Sequence, residues 1–226
     1  MIKQRLSYRL FNYDKSILPN PYLAQLEEGV EHIEQAIPRS GYTIGYPGWG
    51  LLYHTVLCSL KPDAMNNIIE TGTNLGCSTI ILAQALLDSK HDGRVYSIEI
   101  DPDTHATAQQ NIDKAELSSV TTLICGDSRQ VLSELAGTLD SIRVAFLDGS
   151  HKCDDVLNEF KLLYPLFDKR SIVIFDNTYR TAKMNKDQKV YGALKIVRKE
   201  FGGNIIHLPY VSWQTPGIAI WQKNWE

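Results

Sequence analysis

From Asn67 onward, short β-rich runs alternate with segments of helical period, and this alternation is what most narrows the folds open to the chain. The runs are NIIE, RVYSIEI, VTTLIC, IRVAFLD and SIVIFD. Between them apolar residues recur at intervals of three and four, as in Ile80, Leu82 and Leu86, or Val156, Phe160, Leu163 and Phe167. Strands separated by helix-length segments are the signature of βαβ units and a parallel sheet. After a helical stretch from about Val190 to Phe201 come NIIHLPYV and GIAIWQ, joined by a short Ser-Trp-Gln-Thr-Pro segment suited to a terminal hairpin. The expectation is α/β: a doubly wound, mostly parallel, seven-stranded Rossmann-like sheet with a C-terminal antiparallel hairpin.

The first sixty residues read differently. Leu23, Leu26, Val30, Ile33 and Ile37 mark one amphipathic helix, followed by SGYTIGYPGWG and a second helix through Leu60. We therefore divide the chain into an N-terminal helical or lid segment, 1–60, and a sheet domain, 61–226. A length of 226 residues suits one such domain with a well-buried core.

Composition matters mainly for what it excludes. A net charge of -3 with no Lys/Arg run argues against a phosphate-neutralising protein, so no nucleic acid is expected. No apolar run approaches the length needed to span a bilayer, and the opening residues lack a signal-peptide core, which points to the cytoplasm and away from a membrane. Cys58, Cys77, Cys125 and Cys153 form no C-x-x-C pair, so reduced, mostly buried thiols are expected.

In an open parallel sheet, ligands bind beyond the carboxyl ends of the strands. The first run leads into Glu70-Thr71-Gly72-Thr73-Asn74-Leu75-Gly76-Cys77-Ser78, whose glycines let backbone approach a ligand and whose following helix offers free N–H donors to a carboxylate or a phosphate. The spacing G-x-x-x-G is not the dinucleotide fingerprint, and no Gly-Lys-Ser/Thr follows, so a nicotinamide dehydrogenase and a P-loop enzyme recede. Glu99 ends the second run, where a carboxylate can accept from ribose hydroxyls, and Cys125-Gly126-Asp127-Ser128 follows the third.

Taken together and in order, IIETGTNLGCST, VYSIEIDP and ICGDSRQVL resemble the cofactor motifs of class I S-adenosylmethionine-dependent methyltransferases. The resemblance covers roughly Asn67 to Asp176. It implies that Glu70, Gly72 and Ser78 surround the methionine part, with Asn74 and Gly76 in the same loop. It places Glu99 at the ribose, Asp127 and Ser128 at the adenine, and Asp148 at the inner edge of the cofactor site.

The fourth run ends in Asp148-Gly149-Ser150-His151 and the fifth in Asp176-Asn177. Two carboxylates and an amide oxygen make a hard oxygen site suited to Mg²⁺ or Mn²⁺. Asp148, Asp176 and Asn177 match the metal site of the catechol and caffeoyl-coenzyme A O-methyltransferase group, and the D-G-x-H stretch is similar to bacterial enzymes of the macrocin O-methyltransferase type. The implied activity is divalent-metal-assisted methylation of a hydroxyl on a small molecule of sugar, catechol or natural-product type.

His151 stands three residues after Asp148, where the catechol group carries a lysine, and is the candidate general base, with Lys152 as its neighbour and Asp148 beside it. Tyr42, Tyr46, Trp49, Tyr53, Tyr179 and Trp213 are candidate walls for a ring-shaped acceptor, or else core. The rival readings are a metal-independent N- or C-methyltransferase and a non-catalytic S-adenosylmethionine-binding protein of the same fold. A homo-oligomer is left open.

Overall fold

The structure is a computed structural model and describes residues 13–41, 48–178, 188–208 and 217–224. One seven-stranded sheet runs in the order β3-β2-β1-β4-β5-β7-β6. Its strands are β1 (Asn66–Thr71), β2 (Gly93–Glu99), β3 (Thr121–Cys125), β4 (Ile142–Leu147), β5 (Phe167–Asp176), β6 (Asn204–Leu208) and β7 (Ile218–Gln222). The first five run parallel to one another, while β7 runs antiparallel to β5 and to β6. The doubly wound sheet and its C-terminal antiparallel pair are as the sequence pattern led us to expect.

The α-helices among the described residues are α1 (Pro21–Glu27), α2 (Ile33–Ser40), α3 (Gly48–Ser59), α4 (Cys77–Ser89), α5 (Pro102–Lys114), α6 (Ser128–Ala136), α7 (Cys153–Leu163) and α8 (Val190–Glu200). Period-two alternation in the central strands divides the core into two layers. On one face Ile68, Val144, Phe146, Ile172 and Ile174 pack under α3, α4 and α5. On the other, Ile69, Ala145, Leu147, Val173 and Phe175 pack under α6, α7 and α8. The central strands β1 and β4 are buried along their whole length, as strands covered on both faces must be.

Two details differ from the sequence expectations, and a third decides between two readings left open. The amphipathic pattern from Leu23 to Ile37 is two helices, because Gly29 takes a left-handed φ of 67° and Gln35 accepts from the backbone N–H of His32 to start α2 afresh. Cys58 and Cys125 are exposed and only Cys77 and Cys153 are buried, with none of the four in a disulfide. Among the candidate pocket aromatics, Trp49 is buried in the core and Tyr53 donates to Asp88 at 2.5 Å, so these two brace α3 against α4. Tyr42, Tyr46, Tyr179 and Trp213 lie outside the described residues.

The first helices share the first core layer: Leu23, Trp49, Leu52 and Val56 cluster with Ile68 and Ile80. No helix among the described residues is long and apolar enough to cross a membrane.

Candidate active site

Strand order reverses at β1, with β2 and β3 on one side and β4 and β5 on the other, the place beyond the strand ends where an open sheet forms its ligand crevice. Thr71 pairs with Leu147 and Leu147 with Phe175. The residues that follow, Gly72, Asp148 and Asp176, therefore leave the sheet side by side. Gly72 is required: at its φ of 87° a Cβ would meet the Asp148 carbonyl oxygen at 2.6 Å and the Gly149 Cα at 2.7 Å. Gly76, also left-handed, turns the loop into α4.

Glu70 is fully buried at the end of β1. Its Oε2 accepts from Thr79 at 2.5 Å and Ser97 at 2.6 Å, with the Ser78 hydroxyl near enough to favour the ionised form. Burial pushes the Glu70 carboxyl up to about 7 against the pull of those hydroxyls. Its Oε1 has no partner, an orphan that a buried ammonium would satisfy. Glu99 accepts from the Asn74 N–H at 2.8 Å and the Asp101 N–H at 3.0 Å, which fixes it at the rim of the same loop. Asn74 holds this geometry with a φ of 49°, a conformation that asparagine tolerates better than most residues.

At the third strand end, Asp127 caps α6 and is gripped by Arg129, whose N–H and Nε reach its Oδ1 at 2.9 and 3.1 Å and whose Nη2 reaches Oδ2 at 2.7 Å. These bonds hold the Asp127 carboxyl down at about 2. Ser128 is turned inward and donates to Glu159 at 2.6 Å.

At the fourth and fifth strand ends, two carboxyls face each other. Burial, then the neighbouring charge of Glu70, pushes Asp148 up to about 7. Asp176 is raised well above the carboxylate range by burial and by Asp148. Its Oδ1 is buried without a hydrogen-bond donor. Asn177, at a φ of 56°, sets Nδ2 at 2.8 Å from Asp176 Oδ2, 3.2 Å from Asp148 Oδ1 and 3.2 Å from His151 Nε2. His151 Nε2 is 3.6 Å from Asp148 Oδ1. Desolvation lowers the imidazole pKa, although over half of the side chain stays open to solvent.

Lys152 is exposed and joins Lys189 by a backbone bridge at the same rim. Among the described residues no three His, Cys, Asp or Glu side chains converge as metal ligands would, so a cation here would rely on two carboxylates and the Asn177 amide.

The structure thus gathers Glu70, Gly72, Asn74, Gly76, Ser78 and Glu99 around one loop, and Asp148, His151, Asp176 and Asn177 around the next. Sequence reading missed Thr79, Ser97, Arg129 and Glu159, which orient those groups, and Ile100. Ile100 follows Glu99 and is 69% exposed, an apolar side chain beside the crevice. Glu159 had a legible signal: it lies three residues from Val156 and next to Phe160, on the apolar face of its helix.

Residues 69–178 match a family described as a methyltransferase domain. A catechol O-methyltransferase from Niastella koreensis is 31% identical over 147 residues, which cover 63% of this chain and 61% of that protein. Another from Sus scrofa is 31% identical over 132 residues, covering 57% and 67%. The chain spans about three fifths to two thirds of the length of these relatives. The crystal structure of an O-methyltransferase from Bacillus cereus in complex with SAH superposes with a TM-score of 0.72 at 20% identity, covering 98% of this chain and 97% of that one, a likeness of fold. With the crevice, its motifs and these relatives in agreement, the chain belongs to the catechol O-methyltransferase-like group of class I S-adenosylmethionine-dependent O-methyltransferases.

Proposed function

We propose that this protein transfers the methyl group of S-adenosylmethionine to a hydroxyl of a small molecule, with a divalent cation, Mg²⁺ or Mn²⁺, held by Asp148, Asp176 and Asn177. The observation that carries the metal is Asp176: a carboxyl buried against a second carboxyl, with one oxygen lacking any donor. Like charges packed this way are stable only when protonated or when a cation lies between them. When bound, the cation lowers the pKa of the acceptor hydroxyl and fixes its position.

The remaining roles fall to the chain itself. Glu70 Oε1 accepts from the cofactor's ammonium, and Glu99, held by two backbone N–H groups, accepts from the ribose hydroxyls. Ile100 covers one face of the adenine. His151 receives the proton that the acceptor hydroxyl gives up, with Asp148 beside the imidazole to stabilise its charge. Lys152 stands at the entrance, where it meets the acceptor rather than the reacting oxygen.

The N-terminal segment acts as a cover. Tyr22 on α1 donates to Asn111 at 2.6 Å, and Asn111 donates in turn to the Leu75 carbonyl of the cofactor loop at 2.9 Å. Gly41 lies directly on the Asn74 side chain.

The test is transfer of labelled methyl from S-adenosylmethionine to catechols, vicinal diols and sugars, with and without a chelator. Labelled methyl ether that disappears with chelator and returns with Mg²⁺ supports the reading. Chelator-insensitive transfer supports a metal-independent enzyme, for which one observation speaks: the Asn177 amide N–H already bridges both carboxyls. Cofactor binding with no transfer to any acceptor would favour a non-catalytic protein.

A further inference from the structure

Glu159 is 1% exposed in the middle of α7, a costly place for a carboxyl that neither binds nor reacts. It faces no cation. Its two oxygens are shared between two hydroxyls from different parts of the crevice: Thr71 of β1 donates to Oε2 at 3.1 Å, and Ser128, the first residue of α6, donates to Oε1 at 2.6 Å. Burial raises the Glu159 carboxyl against the pull of these two hydroxyls; in its ionised form it can only accept, so both hydroxyl protons are then committed to it. The Ser128 oxygen is left with lone pairs alone for anything that approaches from the crevice. The neighbouring Asp127 is turned to Arg129, which bonds both of its oxygens.

We infer that Glu159 is a positioning residue that sets the polarity of Ser128, making it an obligate acceptor for the 6-amino group of the cofactor's adenine and a barrier to 6-oxo purines. This rests on the reading that puts adenine at Ser128. A 6-amino group donates to such an oxygen. A 6-oxo group would bring acceptor against acceptor, and an unpaired polar contact in a desolvated pocket is rejected strongly.

The experiment measures dissociation constants of S-adenosylhomocysteine and its 6-oxo counterpart, S-inosylhomocysteine, by calorimetry on the full chain. Glu159→Met keeps the length of the side chain and removes the acceptor, so the Ser128 proton is free to rotate outward. Glu159→Gln can take only one of the two hydroxyl protons and serves if the first variant does not fold. Ser128→Ala removes the oxygen.

The expected result is a preference for the adenine compound in the native chain that falls about ten-fold or more in Glu159→Met and in Ser128→Ala, with no further fall when the two are combined. Glu159→Gln gives a smaller fall in the same direction. A merely structural role would weaken both compounds equally and leave their ratio intact, and that result overturns the inference. If Ser128→Ala leaves the ratio unchanged, the placement of adenine is wrong. If Ser128→Ala lowers it and the folded Glu159 variants do not, the placement stands and the role of Glu159 falls.

Discussion

The amide nitrogen of Asn177 lies 3.2 Å from the Nε2 of His151, so the side chain that closes the carboxyl pair also orients the imidazole. The two belong to loops after different strands, and the contact forms because β4 and β5 end side by side. With the desolvated ring kept neutral at physiological pH, His151 is available to accept a proton. His151→Gln is predicted to lower kcat by about 10²-fold to 10³-fold with little change in the KM for the cofactor. The native rate should fall only below the ordinary histidine pKa of 6.5, since the shift is downward, and that acid limb should be missing in the variant. An unchanged kcat would assign His151 to acceptor binding.

Stability without ligands should depend on pH in a direction opposite to that of most salt-bridged proteins. Glu70 and Asp148 are both raised to about 7, from ordinary values of 4.5 and 3.8, so the folded state holds their protons more tightly than the unfolded chain. Stability is then lost as pH rises from about 4 through about 7 and levels off above, by on the order of 3 kcal/mol for Glu70 alone. The depressed carboxyl of Asp127 acts only at lower pH. Thermal unfolding of the ligand-free protein at steps of pH across this window should show a falling Tm, and Asp148→Asn should flatten the fall. A Tm that rises through the window would contradict the burial of these groups as ionisable pairs.

Gly72→Ala should damage the fold and the site together. The added methyl meets two backbone atoms that cannot move independently, and the backbone conformation is left-handed. A loss of about 1–3 kcal/mol in denaturant unfolding is expected, with S-adenosylhomocysteine affinity reduced about ten-fold or more because Asp148 is pushed away. A variant that binds as tightly as the native chain would show that β1 and β4 do not set the crevice.

Much of this was legible in the chain itself. The sheet was, since NIIE, IRVAFLD and their companions carry both period and position, and strand ends in an open sheet gather where order reverses. The positions of the candidate site residues were legible through that same rule: Glu70 is next to last in β1, Glu99 and Asp176 end their strands, and Asp148 follows β4. What escaped was set by tertiary contact. Ser97 acts from the middle of a strand, where a small polar residue carries no sign of its partner, and Glu159, although its place on an apolar helix face could be read, gave no sign of the hydroxyls it holds across the core. The break between α1 and α2 escaped because Val30 continues the apolar period across Gly29, and periodicity is blind to a left-handed turn. Trp49 and Tyr53 read equally well as pocket or packing, and contacts decided for packing.

The central claim, a cation held between Asp148 and Asp176, is tested most directly by electron paramagnetic resonance of Mn²⁺ with S-adenosylhomocysteine present, comparing the native chain with Asp176→Ala. The account predicts that the native chain quenches the free Mn²⁺ signal at one site per chain and that the variant, still folded, does not. Quenching that persists in the variant, or is absent from the native chain, would contradict it and leave the carboxyl pair as a hydrogen-bonding element of a metal-independent enzyme.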